Sequence, residues 1–173
     1  FLGNLAAQHP QAAQLRLLAQ ELAASLGAGF GVFGEAANSV GGYLAQAVPA
    51  ADGLNAAAML ANPRKAYVLL NAEPELDFHD PRVALKAMQQ TEFVICLTAY
   101  KGSAPDYANA LLPIAPFTET SGSFVNAEGR LQSFHAVVKP LAEARPGWKV
   151  LRVLANLLGV QGVDYETSQD VLA

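Results

Sequence analysis

The chain contains a single cysteine, Cys96, among 173 residues. One thiol cannot form an internal disulfide, nor can it supply the ligands of an iron-sulfur cluster or a Cys-based zinc site from this chain alone. The expected compartment is therefore reducing, like a cytoplasm. Charge is also scarce: 15% of residues are charged, the eleven Lys and Arg form no run, and the net charge is -4. Such a balance leaves no basic footprint for nucleic acid or for an anionic membrane. No apolar run reaches membrane-spanning length and no basic leader precedes a cleavage-like site, so direct membrane insertion is not expected. The chain opens on Phe1-Leu2-Gly3 without an initiator Met, and we read it as a piece of a longer protein. What is abundant is apolar material: 52% of residues are hydrophobic, enough for the core of one globular domain.

Gly29, Gly31 and Gly34 in "GAGFGVFGE" have the spacing of a dinucleotide-binding turn, and Asp52 lies about 20 residues further on, where a ribose-binding acid would be sought. That turn requires a strand before the glycines and a helix after them. Here the order is reversed. Leu15, Leu18, Leu22 and Leu26 recur at helical spacing within Gln11 to Leu26, and Gly27 stands where a left-handed terminator is wanted. Phe30, Val32 and Phe33 then read as a short buried strand, with bulky side chains unsuited to contact with phosphate. The glycines are assigned to capping and close packing.

Between Asn38 and Pro49 the sequence predicts a loop with a short helix near Tyr43 to Ala47. Asp52 then caps a helix from Gly53 to Ala61 that Asn62-Pro63 stops. "AYVLL" (66–70) and "FVICL" (93–97) read as strands covered on both faces. Between them Asp80-Pro81 starts a helix through Gln90 that buries Ala84, Ala87 and Met88. After one helical turn near Pro105 to Tyr107, Ala110 to Ile114 reads as another strand. Four candidate strands alternating with helices imply an α/β fold, a mostly parallel Rossmann-like sheet with helices on both faces. "SFVN" and "RLQSF" flank Ala127-Glu128-Gly129 as a hairpin with Gly129 left-handed, a β excursion from the sheet. A terminal helix, Trp148 to Leu158, presents Lys149, Arg152 and Asn156 on one polar face and closes at Gly159. The expected organisation is one domain over 1–159 and a poorly tied-down tail over 160–173.

Catalytic signals are weak. His9, His79 and His135 are scattered, and Asp77, His79 and Asp80 are better explained by capping before Pro81 than by a metal. Cys96 in a core strand reads as an inert buried thiol. Ser121 and Ser123 flank Gly122 without a nucleophile elbow. The densest polar set is Glu119, Asn126, Glu128, Arg130 and Gln132. It fits either a hydrogen-bond network holding the hairpin or a ligand-contacting loop, and the structural version is favoured because such a hairpin must satisfy its polar groups.

"YANALLPIAPFTETSGSFVNAEGRLQSF" followed by "KPLAEARPGWKVLRVLANLLG" resembles the C-terminal part of the molybdopterin-oxidoreductase fold. More narrowly it resembles the largest peripheral-arm subunit, the G subunit in bacteria, of the proton-pumping NADH:quinone oxidoreductase, respiratory complex I. The match is dense from Tyr107 to Gly159, and "FGVFGEAANSVGGYLAQAVP" fits the family's Gly-rich, Asn-containing loop. It departs at Ser123, where Thr is usual, and at Tyr107-Ala108-Asn109, where the pattern has Ala-Asp. The resemblance implies that Glu119, Gly122, Asn126, Glu128, Gly129, Arg130 and Gln132 form a structural family motif. It also implies a segment with no electron carrier of its own, the iron-sulfur clusters lying in an N-terminal part outside this chain. Its partners would be other peripheral-arm subunits, at the cytoplasmic face of the bacterial inner membrane, and alone it would be a monomer or weak oligomer without catalysis. The alternative is part of a true molybdopterin enzyme, formate dehydrogenase-like, with Asn126, Arg130 and Gln132 near the pterin.

Overall fold

In chain order the structure, a computed structural model that describes residues 1–173, begins with α1 (Asn4–Ala7), α2 (Ala12–Ser25), α3 (Ser39–Leu44) and α4 (Ala56–Ala61). It continues through β1 (Ala66–Leu70), α5 (Pro74–Asp77), α6 (Pro81–Gln90), β2 (Phe93–Thr98) and β3 (Ala110–Pro113). The hairpin strands β4 (Gly122–Val125) and β5 (Leu131–Phe134), then α7 (Gly147–Leu157) and α8 (Ser168–Leu172), complete it. The chain divides into two compact units. One comprises Phe1–Val48 with Ser123–Ser133, the other Pro49–Gly122 with Phe134–Ala173.

In the first unit, α2 ends as its sequence predicts. Gly27 takes φ 62° and donates to the Ala24 carbonyl, while Ala28 N–H reaches back to Ala23 at 2.8 Å. This paired closure satisfies the helix's last carbonyls and needs a residue tolerant of positive φ. Phe30 to Phe33 is not a sheet strand. Val32 makes a single parallel bridge to Leu2, and the Phe1 and Phe33 rings stack at 4.9 Å. Gly31 lies under the Phe1 ring, where a Cβ would come within 2.6 Å of ring carbon. Its lack of a side chain serves that packing, and α3 follows the glycines only after an intervening loop. The short helix predicted at Tyr43 to Ala47 lies instead at Ser39–Leu44, because Asn38 and Ser39 turn the chain earlier, Ser39 Oγ accepting the N–H of Ala36 at 2.9 Å.

The second unit is built on β1, β2 and β3, a parallel sheet in that order, with Leu69 beside Cys96 and Cys96 beside Leu111. The sheet thus has three strands where four were expected. Alternation along β1 and β2 points Tyr67, Leu69, Val94 and Cys96 to one face, where they meet Ala87 and Met88 of α6 and Ala104. Asp80 caps α6 by accepting from Arg82 and Val83, with Pro81 as first helical residue. The opposite face carries Leu70, and with Ile114 it meets the start of α7 at Gly147. Val68 and Leu70 nevertheless remain about half exposed. The cap of α4 is Asn55, whose Oδ1 accepts from Ala58 at 2.9 Å, and not Asp52, which lies too early for the helix that starts at Ala56. The segment beyond Gly159 contains α8, opened by a capping box in which Thr167 and Asp170 satisfy each other's backbone N–H.

Candidate functional site

The hairpin is shaped by Asn126. Its Oδ1 accepts the backbone N–H of Glu128 at 3.0 Å and of Arg130 at 2.9 Å, while its carbonyl accepts from Gly129. Gly129 sits at φ 82°, as the three-residue loop requires. The Asn126 oxygen is thereby committed to the turn. Arg130 and Gln132 are exposed, and their side chains make no hydrogen bond or ion pair; the Glu128 carboxylate is likewise exposed. Ser123 and Ser133 join across the two strands through their hydroxyls at 2.8 Å. Glu119 and Gly122 fall in the second unit. Glu119 Oε2 accepts the N–H of Leu141 at 2.9 Å, tying down the loop before α7, and Gly122 leaves room for the Phe134 ring.

Three of the other candidates are spoken for locally. His9 Nδ1 accepts from Gln11, Asp77 Oδ2 accepts from Glu73, and Asp80 caps α6. No group of three or more His, Cys, Asp or Glu is placed to hold a metal ion. At the C-terminal edge of the sheet, where open α/β folds gather ligands, Glu75 Oε2 accepts the Tyr107 hydroxyl and Oε1 the N–H of Ser103, each at 3.3 Å. Burial pushes the Glu75 carboxyl up, but hydrogen bonds from its own backbone, Ser103 and Tyr107 outweigh that and hold it below its ordinary value. Burial first, and the Glu75 charge second, push both the Cys96 thiol and the Tyr107 phenol up. The space among Ala72, Glu75, Cys96 and Tyr107 is too small for a water molecule, so this edge is filled by its own side chains.

One feature lies outside every sequence motif. Val150, Val153, Leu154 and Leu157 form the i, i+3, i+4, i+7 stripe of α7, and with Leu112 of β3 they line an open slot of about 630 Å³. Arg145, Lys149, Arg152 and Glu166 also line it. Arg145 donates to the carbonyls of Ala142 and Ala144, and Lys149 lies 5.3 Å from the Trp148 ring centroid. Arg152 is the unexpected member: its Nε is buried and has no acceptor, although the sequence places it with Lys149 and Asn156 on a solvated face. Leu112 of β3 lines the same slot.

Residues 1–157 match the family described as Molybdopterin oxidoreductase. The G subunit of the NADH-quinone oxidoreductase of Mycobacterium bovis (strain ATCC BAA-935 / AF2122/97) is 35% identical over 112 residues, which are 64% of this chain and 14% of that protein. A putative formate dehydrogenase of Staphylococcus aureus (strain bovine RF122 / ET3-1) is 33% identical over 73 residues, 42% of this chain and 7% of that protein. Among solved structures, acetylene hydratase from Pelobacter acetylenicus superposes with a TM-score of 0.53 at 23% identity, covering 61% of this chain and 15% of that one; the likeness is one of fold. This chain therefore spans a small part of the length of each relative. Because the family match runs from Phe1 through α7 and takes in the sheet, the hairpin and the Asn38 loop, the chain belongs to the molybdopterin oxidoreductase family.

Proposed function

We propose that this chain is a scaffolding and subunit-contact segment of the large iron-sulfur subunit of an NADH-quinone oxidoreductase, and that it carries no electron carrier itself. Iron-sulfur clusters would be held by a part of the longer protein outside this chain, and the partners would be neighbouring subunits of a complex at the cytoplasmic face of a bacterial inner membrane. The observation that carries the reading is the use of the hairpin's central polar group: the Asn126 oxygen is spent on two backbone N–H groups of its own turn. Similarity to the mycobacterial NADH-quinone oxidoreductase protein over 64% of the chain supports it. So does the position of Cys96, 2% exposed in β2 with its thiol held neutral. No helix is long and apolar enough to cross a membrane.

A pterin cofactor fits the hairpin poorly by itself. Arg130 and Gln132 could donate to its heteroatoms, but both are exposed, Arg130 just after the turn and Gln132 in β5, and a bound ring system normally needs a concave, mostly apolar surround. Those two unengaged side chains are what favours the second reading, a segment of a formate dehydrogenase-like enzyme that contributes pterin contacts. The experiment is isolation of the longer gene product from its host by an affinity tag. The scaffold reading expects co-purification with NADH-oxidising subunits, stoichiometric iron and no molybdenum. Stoichiometric molybdenum with a fluorescent oxidised pterin would replace it with the second reading.

A further inference from the structure

We infer that the free edge of β1 receives a fourth strand, parallel to it and apolar on both faces, from the part of the longer polypeptide that precedes residue 1. This completion of the sheet goes beyond the scaffold reading and holds for either function of the longer protein. Its first support is the direction of the backbone groups. The Lys65 carbonyl accepts the Phe93 N–H at 3.2 Å and the Asn71 N–H donates to the Leu97 carbonyl at 2.7 Å, so Tyr67 and Leu69, in phase with them, also face β2. Ala66, Val68 and Leu70 therefore turn their N–H and C=O groups outward, and no residue of the chain pairs with them. The other edge of the sheet is closed. On β3, Pro113 has no N–H to offer, its carbonyl accepts from Arg145, and Ala115 donates to the Arg145 carbonyl. β1 has neither a proline nor a charge, the usual guards of an edge that faces water.

The second support is an open groove of about 310 Å³ along this edge. Tyr67 and Leu69 line it from one face of β1, Val68 and Leu70 from the other, and Met59 and Leu60 of α4 form a wall. A space reached from both faces of a strand lies at its edge, and strands of a parallel sheet are normally apolar on both faces. The third support is handedness. Met59 and Leu60 of α4 pack with Ala87 and Met88 of α6 on the face of Tyr67 and Leu69. Parallel β–α–β connections share one hand, so helices on one face carry the chain across the sheet in one direction, and α6 carries it from β1 to β2. A strand that leads through α4 into β1 must then lie on the side of β1 away from β2, at the free edge. No residue of this chain ahead of α4 pairs with the β1 backbone, which leaves earlier polypeptide as the source. The relatives have ample chain for it, the matching region being 14% of the length of the Mycobacterium bovis protein.

The test uses the longer protein, with a photoreactive benzoylphenylalanine in place of Ala66, an exposed residue at the start of the edge. Irradiation followed by peptide mapping should join this position to one apolar segment upstream of Phe1 in the same polypeptide. Hydrogen exchange resolved to single amides, on the longer protein without the probe, should find Val68 and Leu70 as protected as Leu69 and Asn71. A cross-link to a downstream segment, to residues 1–173, to another subunit or to a second copy would overturn the inference, as would the absence of any product. So would loss of protection at Val68 and Leu70 beside slow exchange at Leu69. The metal content and the co-purifying subunits, which decide between the two functions, leave both results unchanged.

Discussion

The carboxamide of Asn38 binds the outer edge of β4 as a neighbouring strand would: its Nδ2 donates to the Ser123 carbonyl at 3.2 Å, and its Oδ1 accepts the N–H of Val125 at 2.8 Å. Ser123 and Val125 direct these groups away from β5, so without Asn38 they would be an unpaired edge beside a buried Val125. One side chain thus ties the Gly-rich loop to the hairpin within the first unit.

Asn38→Ala should cost about 1–3 kcal/mol, the penalty for orphaning part-buried backbone groups. A Cβ on Gly41 would strike the same carboxamide, so Gly41→Ala should act through it. Urea denaturation of the two single variants and the double variant checks this. The double should be barely less stable than the worse single variant, since both remove one contact; additive losses would count against the shared mechanism.

Gly129→Ala should destabilise by about 1 kcal/mol through backbone strain alone. Nothing lies within 4 Å of where its Cβ would stand, so crowding adds nothing. Gly129→Asn should be milder, because Asn visits the left-handed region more readily than Ala. Equal thermal midpoints for wild type and the Ala variant would contradict the turn assignment.

Met88 is 1% exposed against β2, and Met88→Ala should cost about 2–5 kcal/mol by leaving a cavity. Leu76→Ala, at a residue left largely exposed on α5, should stay within about 0.5 kcal/mol. The contrast in denaturation midpoints tests whether Met88, and not Leu76, belongs to the core.

Stability should fall in alkali. The Cys96 thiol and Tyr107 phenol are raised above ordinary values of 9.0 and 10.0, mainly by burial, so the unfolded chain loses these protons at lower pH than the folded one. Above pH 9 the unfolded state therefore binds fewer protons, and the unfolding free energy declines as pH rises. Urea titrations across the alkaline range should show this, and Cys96→Ala should remove the earlier part of the decline. Native Cys96 should also react with a thiol reagent far more slowly than in denaturant.

Where chemistry was local, the sequence was readable. β1 matches its predicted bounds and β2 extends its own by one residue; α6 starts at the Asp80-Pro81 signal, and the hairpin turns at Ala127-Glu128-Gly129. Asn109 shows how a departure from the family pattern is absorbed: its Oδ1 accepts the Val94 N–H at 2.7 Å, a role that needs only an oxygen and that an Asp would also fill. Phe30 to Phe33 misled because a short apolar run does not reveal whether a second strand is beside it. Asp52 misled because a cap depends on where the helix begins, and Asn55 was nearer.

The sequence by itself determined the parallel βαβ unit, the ends of α2 and α7 at glycines able to take positive φ, and the hairpin turn, since each follows from contacts within a few residues. Tertiary structure alone decided that Asn38 would bind a strand 85 positions away, that the sheet would stop at three strands, and that Leu112 and Arg152 would line one slot. Those outcomes depend on which surfaces meet across long loops. A side chain's pairing is set there by its neighbours in space, and periodicity along the chain carries no record of them.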